Sequence, residues 1–431
     1  MAENMEIDER KVQVKFVTKN DKYVVPDTAI LVPTRLKRYG LSEIVNHMLN
    51  FEKTIPFTFL IDGETLRTSL EEYLESKGIS AENVLILEYI ESMLPPKSLS
   101  TFEHDDWVYC VSASNGYFLT GSYDNNARIW NKSGECLQTF TGHEGPIKSV
   151  AWLKSEGEYT FLTASQDHTV RAWRYDSNNM FETLYVAKGH KGSVESVSVD
   201  STGKHFATAS WDAEIKYYTS AVPDVDESEF LAGPENENNK KRKTKNSDNV
   251  LVKAPVTTLD AHVGPVSCVA FDPKDENILY SGGWDHSIRV WDIHKRTNLT
   301  TLSCEKTIYA LAPSPLTGLL ATGHADRVLR VWDPRSSDAS MLKLSLPGHR
   351  NWVSSVAWSP SSEHHLVTGS YDGIVRVWDI RSRRAPIYTL LHGNDSEEEE
   401  QKVFCVEWSG DLLLSGGEDC RLRIHSAGMN Q

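Results

Sequence analysis

Up to about residue 92, the pattern of apolar and polar positions predicts a small mixed domain. Alternation over 12–19 and a β-rich run over 23–32 flank the polar NDK, which suits a hairpin. Apolar residues at helical spacing over 41–49 predict a helix. The remaining predicted elements are a strand at 56–62, a helix at 69–78 that opens with a capping-box spacing and stops at a glycine, and a strand at 83–90. This order is typical of a ubiquitin-like fold, although periodicity alone would also allow another small α+β domain.

The rest of the chain has a different pattern, in which an aspartate precedes a large aromatic residue by six positions. Six units keep this spacing, and a seventh, Asp419 with His425, has lost the aromatic residue. The six complete pairs are Asp124 with Trp130, Asp167 with Trp173, Asp212 with Tyr218, Asp285 with Trp291, Asp326 with Trp332, and Asp372 with Trp378. Successive aromatic residues lie 41 to 46 residues apart, except for one interval of 73. The chain therefore repeats one structural unit seven times and carries one large insertion.

A histidine lies 20 to 24 residues upstream of five of these aspartates. The five are His104, His143, His190, His262 and His349. This combination is the signature of WD repeats, in which each unit forms one blade of a propeller. We therefore predict an all-β seven-bladed WD-repeat propeller over 104–431, preceded by a small α+β ubiquitin-like domain over 1–92.

The recurring histidine and aspartate can form a buried hydrogen-bond network with the indole and with a hydroxyl such as that of Ser165 or Ser210. On paper this set resembles a catalytic triad. A triad requires one nucleophile held against one base in a cleft, whereas this set recurs from blade to blade. The recurrence indicates scaffold, and we predict no catalytic residue and no enzyme activity, since the chain also lacks a Gly-rich phosphate loop and a metal cluster.

Three segments outside the regular repeats have separate interpretations. Residues 93–103 are expected to form a linker and the outer strand of the last blade, because the chain ends one strand short of a complete seventh unit. The insertion at about 220–254 is acidic and then basic with few apolar residues, which predicts a disordered loop. Its cluster Lys240, Lys241, Arg242 and Lys243 is a candidate nuclear-import signal or RNA-contacting patch. The acidic run at 394–401 predicts a solvated loop within the last blade.

Composition limits the classes of function. No stretch approaches the roughly 20 apolar residues of a membrane span, and the N-terminus lacks the features of a signal peptide, so we expect an intracellular protein without a membrane partner. The six cysteines are scattered and form no CxxC, which indicates neither a zinc site nor a disulfide framework. The net charge of −15 disfavours nucleic-acid binding by the whole surface, although a local basic patch could still contact RNA.

Specific stretches in the first quarter of the chain carry a family resemblance. LKRYGLSEIVNHML at 36–49, RTSLEEYLESKGIS at 67–80 and LPPKSLSTFEHDDWV at 94–108 resemble the WD-repeat ribosome-biogenesis factors that join Pescadillo and the block-of-proliferation protein in the PeBoW complex. The likeness covers the whole chain, including the charged insertion after the third blade. The related Notchless factors carry a similar first domain on an eight-bladed propeller, so a count of seven favours the PeBoW member.

The resemblance implies a nucleolar and nucleoplasmic assembly factor of the large (60S) ribosomal subunit, needed for pre-rRNA processing. In that family the ubiquitin-like domain docks onto the ATPase midasin, whose adhesion site holds Mg²⁺ and takes its last ligand from a glutamate of the docking domain. The matching residue here is Glu82. The metal belongs to the partner, so no metal or cofactor is expected in the isolated chain. The propeller of the family contacts the block-of-proliferation protein.

The sequence pattern allows one alternative function and two interpretations of four tryptophans. A substrate adaptor of the ubiquitin system is an alternative function for a propeller joined to a ubiquitin-like domain. The tryptophans in the turns between strands, Trp107, Trp211, Trp284 and Trp352, are either anchors for a partner or part of the blade packing.

Overall fold

The computed structural model describes residues 10–51, 54–80, 83–153, 159–176, 180–231, 250–260, 262–336, 342–382, 385–392 and 401–428. The chain divides into two units at the boundary between Pro95 and Pro96. No helix among these residues is long and apolar enough to cross a membrane.

The first unit is an α+β domain with one mixed sheet. Its strands are β1 (Lys11–Val17), β2 (Ile30–Pro33), β3 (Phe57–Ile61), β4 (Glu64–Thr65) and β5 (Leu85–Glu91), and its helices are α1 (Arg38–Leu49) and α2 (Leu70–Lys77). The strand order is β2-β1-β5-β3-β4, with β1 and β5 parallel in the centre. This arrangement is that of a ubiquitin-like fold and confirms the predicted fold class.

Local signals explain the boundaries of these elements. The Ser69 side chain accepts a hydrogen bond from the backbone N–H of Glu72, which satisfies a free donor at the start of α2. Gly78 ends the same helix at φ 65°, a left-handed conformation that costs glycine little. The predicted strand at 23–32 is shorter than expected, because a 3₁₀ turn occupies Asp21–Tyr23 and pairing starts only at Ile30.

The core of the first unit lies between its helices and one face of the sheet. Val14, Leu41, Val45, Phe57 and Leu87 are fully buried there. These residues come from both strands of the central pair, from β3 and from α1. Val32 of β2 and Leu70 and Leu74 of α2 complete the same core.

The described residues of the second unit form seven sheets, which are the blades of a propeller. From inner to outer strand, blade 1 comprises Val108–Ser114, Tyr117–Ser122, Ala127–Trp130 and Cys136–Phe140; blade 2 Ile147–Leu153, Tyr159–Ser165, Val170–Tyr175 and Phe181–Ala187; blade 3 Val194–Val199, His205–Ser210, Glu214–Thr219 and Thr257–Asp260; blade 4 Val266–Phe271, Ile278–Gly283, Ser287–Asp292 and Thr297–Ser303; blade 5 Ile308–Pro313, Leu320–His324, Val328–Trp332 and Leu342–Pro347; blade 6 Val353–Trp358, His365–Ser370, Ile374–Asp379 and Tyr388–Leu391. Blade 7 comprises Val403–Ser409, Leu412–Gly417, Arg421–Ser426 and, as its outer strand, Lys97–Glu103.

The outer strand of blade 7 closes the ring. Lys97–Glu103 pairs antiparallel with Arg421–Ser426, so the last blade combines segments from both ends of the propeller sequence. The inner strands of successive blades pack against each other, including those of blades 7 and 1. A propeller closed in this way leaves only short sheet edges at its periphery.

The insertion lies within blade 3, between its third strand, Glu214–Thr219, and its outer strand, Thr257–Asp260. The predicted position between the third and fourth blades is therefore wrong, because the outer strand of blade 3 follows the insertion in the chain. The insertion is also more ordered at its ends than predicted. A short helix, α3, spans Ser228–Leu231, and the strand Leu251–Lys253 pairs parallel with the outer strand of blade 2 as a fifth strand. Val252 is 2% exposed, and the side chain of Glu227 accepts the backbone N–H of Ala254. The prediction of disorder is therefore wrong for 220–231 and 250–254. The reason is that apolar residues at the end of the insertion are buried against the outer strand of blade 2. Residues 232–249 lie outside the described part of the chain.

Candidate partner-binding sites

The loop between α2 and β5 is the predicted docking site. The structure describes both of its flanks: the N–H of Ile79 donates to the carbonyl of Leu74, and the N–H of Asn83 donates to the carbonyl of Ser80 at 3.2 Å. Strand β5 follows and is anchored between β1 and β3. Glu82 itself lies outside the described residues, so its role as a ligand for the metal of a partner stays a prediction. The basic cluster Lys240, Lys241, Arg242 and Lys243 also lies outside them.

The repeated polar residues form buried networks, which blade 2 illustrates. Nδ1 of His143 lies 2.7 Å from Oδ2 of Asp167, and its Nε2 lies 2.7 Å from Oγ1 of Thr163. The indole N–H of Trp173 donates to the same hydroxyl oxygen at 2.8 Å. Thr163 is fully buried, and its oxygen is shared between the ring and the indole. Blades 3, 4 and 6 repeat the His–Asp and His–hydroxyl contacts, so the set joins strands within a blade.

The structure corrects the predicted hydroxyl. Ser165 does not contact the histidine or the indole; its hydroxyl donates to the carbonyl of Gly145 and accepts the backbone N–H of Asp167. The residue two positions earlier, Thr163 in blade 2 and Thr208 in blade 3, makes those contacts instead. The physical reason is strand alternation: residues two apart share a face, and the earlier one is the diagonal cross-strand neighbour of the aromatic residue. In blade 2, Thr163 pairs with Arg171, whereas Trp173 pairs with Phe161.

Three blades depart from the network that the sequence predicts. In blade 1, Arg128 lies 2.6 Å from Asp124, while His104 contacts the hydroxyl of Thr120. In blade 7, the partner of Asp419 is His392 at 3.0 Å. Sequence reasoning missed His392 because the acidic run places it 27 residues upstream of Asp419, beyond the usual interval.

Blade 5 substitutes a histidine from within the blade. His324 occupies the position equivalent to Ser165, is fully buried, and its Nε2 lies 2.8 Å from the hydroxyl of Thr322. Asp326 pairs instead with Arg330 through two hydrogen bonds. Burial, followed by the charge of Arg330, lowers the pKa of His324 to about 4.

The lowered pKa of His324 is expected to make the free energy of unfolding depend on pH. The unfolded chain binds a proton near the ordinary pKa of 6.5, whereas folded His324 stays neutral down to about 4. The contribution of neutral His324 to the free energy of unfolding is therefore complete above pH 6.5 and is lost as the pH falls toward 4. At pH 5 the loss is about 2 kcal/mol by linkage. We expect His324→Ser, the residue found there in blades 2, 3 and 6, to show a smaller drop in melting temperature between pH 7.5 and pH 5 than the wild type; equal drops would contradict this.

An aromatic mouth forms at one end of the central channel of the propeller. We use this name for the eight aromatic side chains that line a cavity of about 480 Å³ there: Tyr109, Tyr123, Trp211, Trp284, Tyr309, Trp352, Tyr371 and Phe404. Neighbouring rings form an almost continuous series, with centroids 5.7 Å apart for Trp211 and Trp284 and 5.1 Å apart for Tyr309 and Trp352. Three of the four tryptophans singled out from the sequence belong to it.

These tryptophans differ in exposure from the indoles of the networks. Trp211, Trp284 and Trp352 are 50%, 40% and 43% exposed, whereas Trp173 and Trp378 are buried. Trp107 is half-buried and packs against Tyr123 and Phe404 at the edge of the mouth. The exposed indoles are therefore available to a partner, whereas the buried ones hold the blades together.

No group of three or more histidine, cysteine, aspartate or glutamate residues within the described ranges is arranged to hold a metal ion. The cysteines of those ranges are unpaired thiols.

Comparisons with known proteins agree with this architecture. The family model described as the NLE (NUC135) domain matches residues 12–74, and the WD domain, G-beta repeat, matches 96–131, 134–174, 181–219, 253–292, 296–333 and 340–379. The last of these matches ends before the three C-terminal strands of blade 7, the third of which carries His425 in place of the aromatic residue. The chain is therefore a WD-repeat propeller protein with an N-terminal NLE domain.

Full-length relatives narrow this class to a family. The chain is 37% identical to "Ribosome biogenesis protein WDR12 homolog" of Nematostella vectensis over 97% of its own length and 100% of the relative. It is 37% identical to the protein of the same name in Arabidopsis thaliana, with 97% of each chain covered, and 35% identical to "Ribosome biogenesis protein YTM1" of Candida glabrata, with 98% of each covered. The chain belongs to this WDR12/Ytm1 family of ribosome biogenesis proteins, which confirms the resemblance read from the sequence.

Proposed function

We propose that this protein is a non-enzymatic assembly factor of the large (60S) ribosomal subunit, present in the nucleolus and nucleoplasm. It acts as a scaffold in a PeBoW complex with Pescadillo and the block-of-proliferation protein and associates with the pre-60S particle. The observation that carries this proposal is the match to ribosome biogenesis proteins over nearly the whole length of both chains. Seven blades in the described residues further favour this family over the eight-bladed Notchless type.

The first unit serves in this proposal as the dock for midasin. Strand β5, which follows the docking loop, is held in the centre of the sheet between β1 and β3 and gives the C-terminal flank of the loop a rigid support. Glu82 supplies a carboxylate to Mg²⁺ held by the adhesion site of midasin, since hard divalent cations prefer oxygen ligands and accept one from a partner at an open position. Midasin then uses ATP to remove the factor from the precursor particle.

Binding of the full-length chain to the midasin adhesion domain tests this proposal. We expect wild-type binding in Mg²⁺ and a loss of at least about tenfold in affinity with EDTA, because removing a metal or a carboxylate that ligates it abolishes the bridge. Glu82→Gln keeps the shape but lowers the charge, and it should lose binding to the same extent as EDTA treatment.

Glu75→Gln, in the last turn of α2 and outside the docking loop, is the matched control and should bind as the wild type does. Binding that is indifferent to both Glu82 and EDTA would contradict the metal-bridged dock. Absence of the chain from sedimented pre-60S particles would contradict the assembly role itself.

A further inference from the structure

The aromatic mouth combines its rings with a conspicuous pair of charges. The second residue of each inner strand lines the cavity, and two of these seven equivalent residues are charged. These residues are Tyr109, Lys148, Glu195, Ser267, Tyr309, Ser354 and Phe404. Only Lys148 and Glu195 are charged in this set, and they belong to neighbouring blades 2 and 3.

Lys148 shows that the mouth already binds a cation. Its Nζ donates to the hydroxyl of Tyr123 at 2.6 Å and lies 4.2 Å from the ring centroid of Tyr109 and 4.5 Å from that of Tyr123. An ammonium group within about 6 Å of an aromatic face is attracted by the ring quadrupole. The tyrosines of blade 1 therefore stabilise the ammonium group of Lys148, which forms no salt bridge with Glu195 within the described residues.

Glu195 is consequently left without a cation. Its Oε1 accepts the hydroxyl of Ser193 at 2.7 Å, and it forms no ion pair within the described ranges of the chain. Burial raises the pKa of both Tyr109 and Tyr371, and the negative charge of Glu195 raises both further. The carboxylate of Glu195 therefore acts on rings from other blades of the mouth. A carboxylate beside a cavity that is otherwise mostly aromatic is a site that favours positive charge.

Two exposed indoles line the same cavity as Glu195. Trp211 comes from blade 3, as Glu195 does, and packs against Trp284 at an interplanar angle of 51°. Both indoles are at least 40% exposed, so ring surface is open to the cavity. We propose that Glu195, Trp211 and Trp284 form a site for the guanidinium or ammonium group of an arginine or lysine on an extended segment of a protein partner.

The size and charge of the cavity favour a peptide over other occupants. A volume of about 480 Å³ lies in the range of sites that enclose a small ligand or an inserted side chain. The net charge of −15 attracts a basic segment. RNA bases would also stack on the rings, but the phosphates of RNA need several cations. Lys148 is already engaged by tyrosines, and the carboxylate of Glu195 would repel a phosphate. This inference does not depend on the docking of the first unit to midasin.

Peptide titrations of the full-length protein test the proposal. The probes are acetylated heptapeptides of Gly and Ser with arginine at the centre, or with citrulline, which has nearly the same shape but no charge; binding is followed through tryptophan fluorescence. We expect the arginine peptide to bind about threefold to thirtyfold more tightly than the citrulline peptide, the range of a cation on aromatic faces. Equal binding of the two peptides by the wild type would overturn the proposal.

Matched variants locate the effect. Glu195→Gln should reduce the preference for arginine, because only the rings then attract the cation, whereas Glu182→Gln, on the outer strand of blade 2, should keep it unchanged. Trp284→Ala should weaken the arginine peptide, whereas Phe230→Ala, which removes a ring that is 79% exposed and outside the mouth, should not. A preference for arginine that Glu195→Gln leaves undiminished, or tighter binding of decauridylate RNA than of the arginine peptide, would also contradict the proposed site.

Discussion

Deleting residues 97–103 is expected to lower the melting temperature of the propeller by more than about 10 °C, or to prevent its folding. These residues supply the outer strand of blade 7, and their loss exposes the edge of Arg421–Ser426 and opens the ring. Phe102 carries much of the effect: it is 4% exposed, stacks on Trp130 with centroids 5.3 Å apart, and packs in the cluster that joins blades 7 and 1.

A pair of point variants on the same strand separates this effect from a general effect of truncation. Phe102→Ala should cost about 3–5 kcal/mol, the range for deleting a buried aromatic side chain. Leu99→Ala should cost little, because Leu99 is 57% exposed. Scanning calorimetry of both variants measures the difference. Equal melting temperatures for Phe102→Ala and Leu99→Ala would show that the closing strand contributes no core.

The second large effect is expected at the network of blade 6. Thr368→Val keeps the size of a fully buried side chain but removes the oxygen that contacts His349 at 2.7 Å and accepts the indole N–H of Trp378 at 2.8 Å. Two buried polar groups then lose a partner, each at a cost of about 1–3 kcal/mol. We expect the free energy of unfolding to fall by about 2–4 kcal/mol, measured by denaturant titration with near-ultraviolet circular dichroism.

Thr389→Val makes the same chemical change on the exposed outer strand of this blade and serves as the control. Its free energy of unfolding should stay within about 0.5 kcal/mol of the wild-type value, as is usual for surface positions. If Thr368→Val were as stable as Thr389→Val, the networks would be incidental to the fold. The recurrence of the network in other blades would then need another explanation.

Local sequence patterns predicted most elements because their causes are local. The capping residues Ser69 and Gly78 bound α2 as expected, since a cap depends on the backbone within one turn. The aspartates of the repeats mark turns between the second and third strands for the same reason: the Asp167 side chain accepts the N–H of Thr169, two residues on. Such contacts require no knowledge of the remaining chain.

The errors arose where distant segments decide the outcome. The hydroxyl of the network was assigned to Ser165 instead of Thr163, because sequence spacing does not show which residue lies diagonally across the strand pair from Trp173. His392 was missed because an inserted run separates it from Asp419. The strand Leu251–Lys253 looked like part of a loop, since its partner, the outer strand of blade 2, lies more than sixty residues earlier in the chain.

The sequence by itself determined the repeat number, the ubiquitin-like order of the first unit and the family, because spacing, caps and specific stretches are written along the chain. Only the tertiary structure brought Glu195, Trp211 and Trp284 to one mouth and engaged Lys148 with the tyrosines of blade 1. The physical reason is that a propeller places equivalent positions of successive blades around one axis. Residues about forty to seventy positions apart thereby become neighbours, and no local preference encodes which charge is left without a partner.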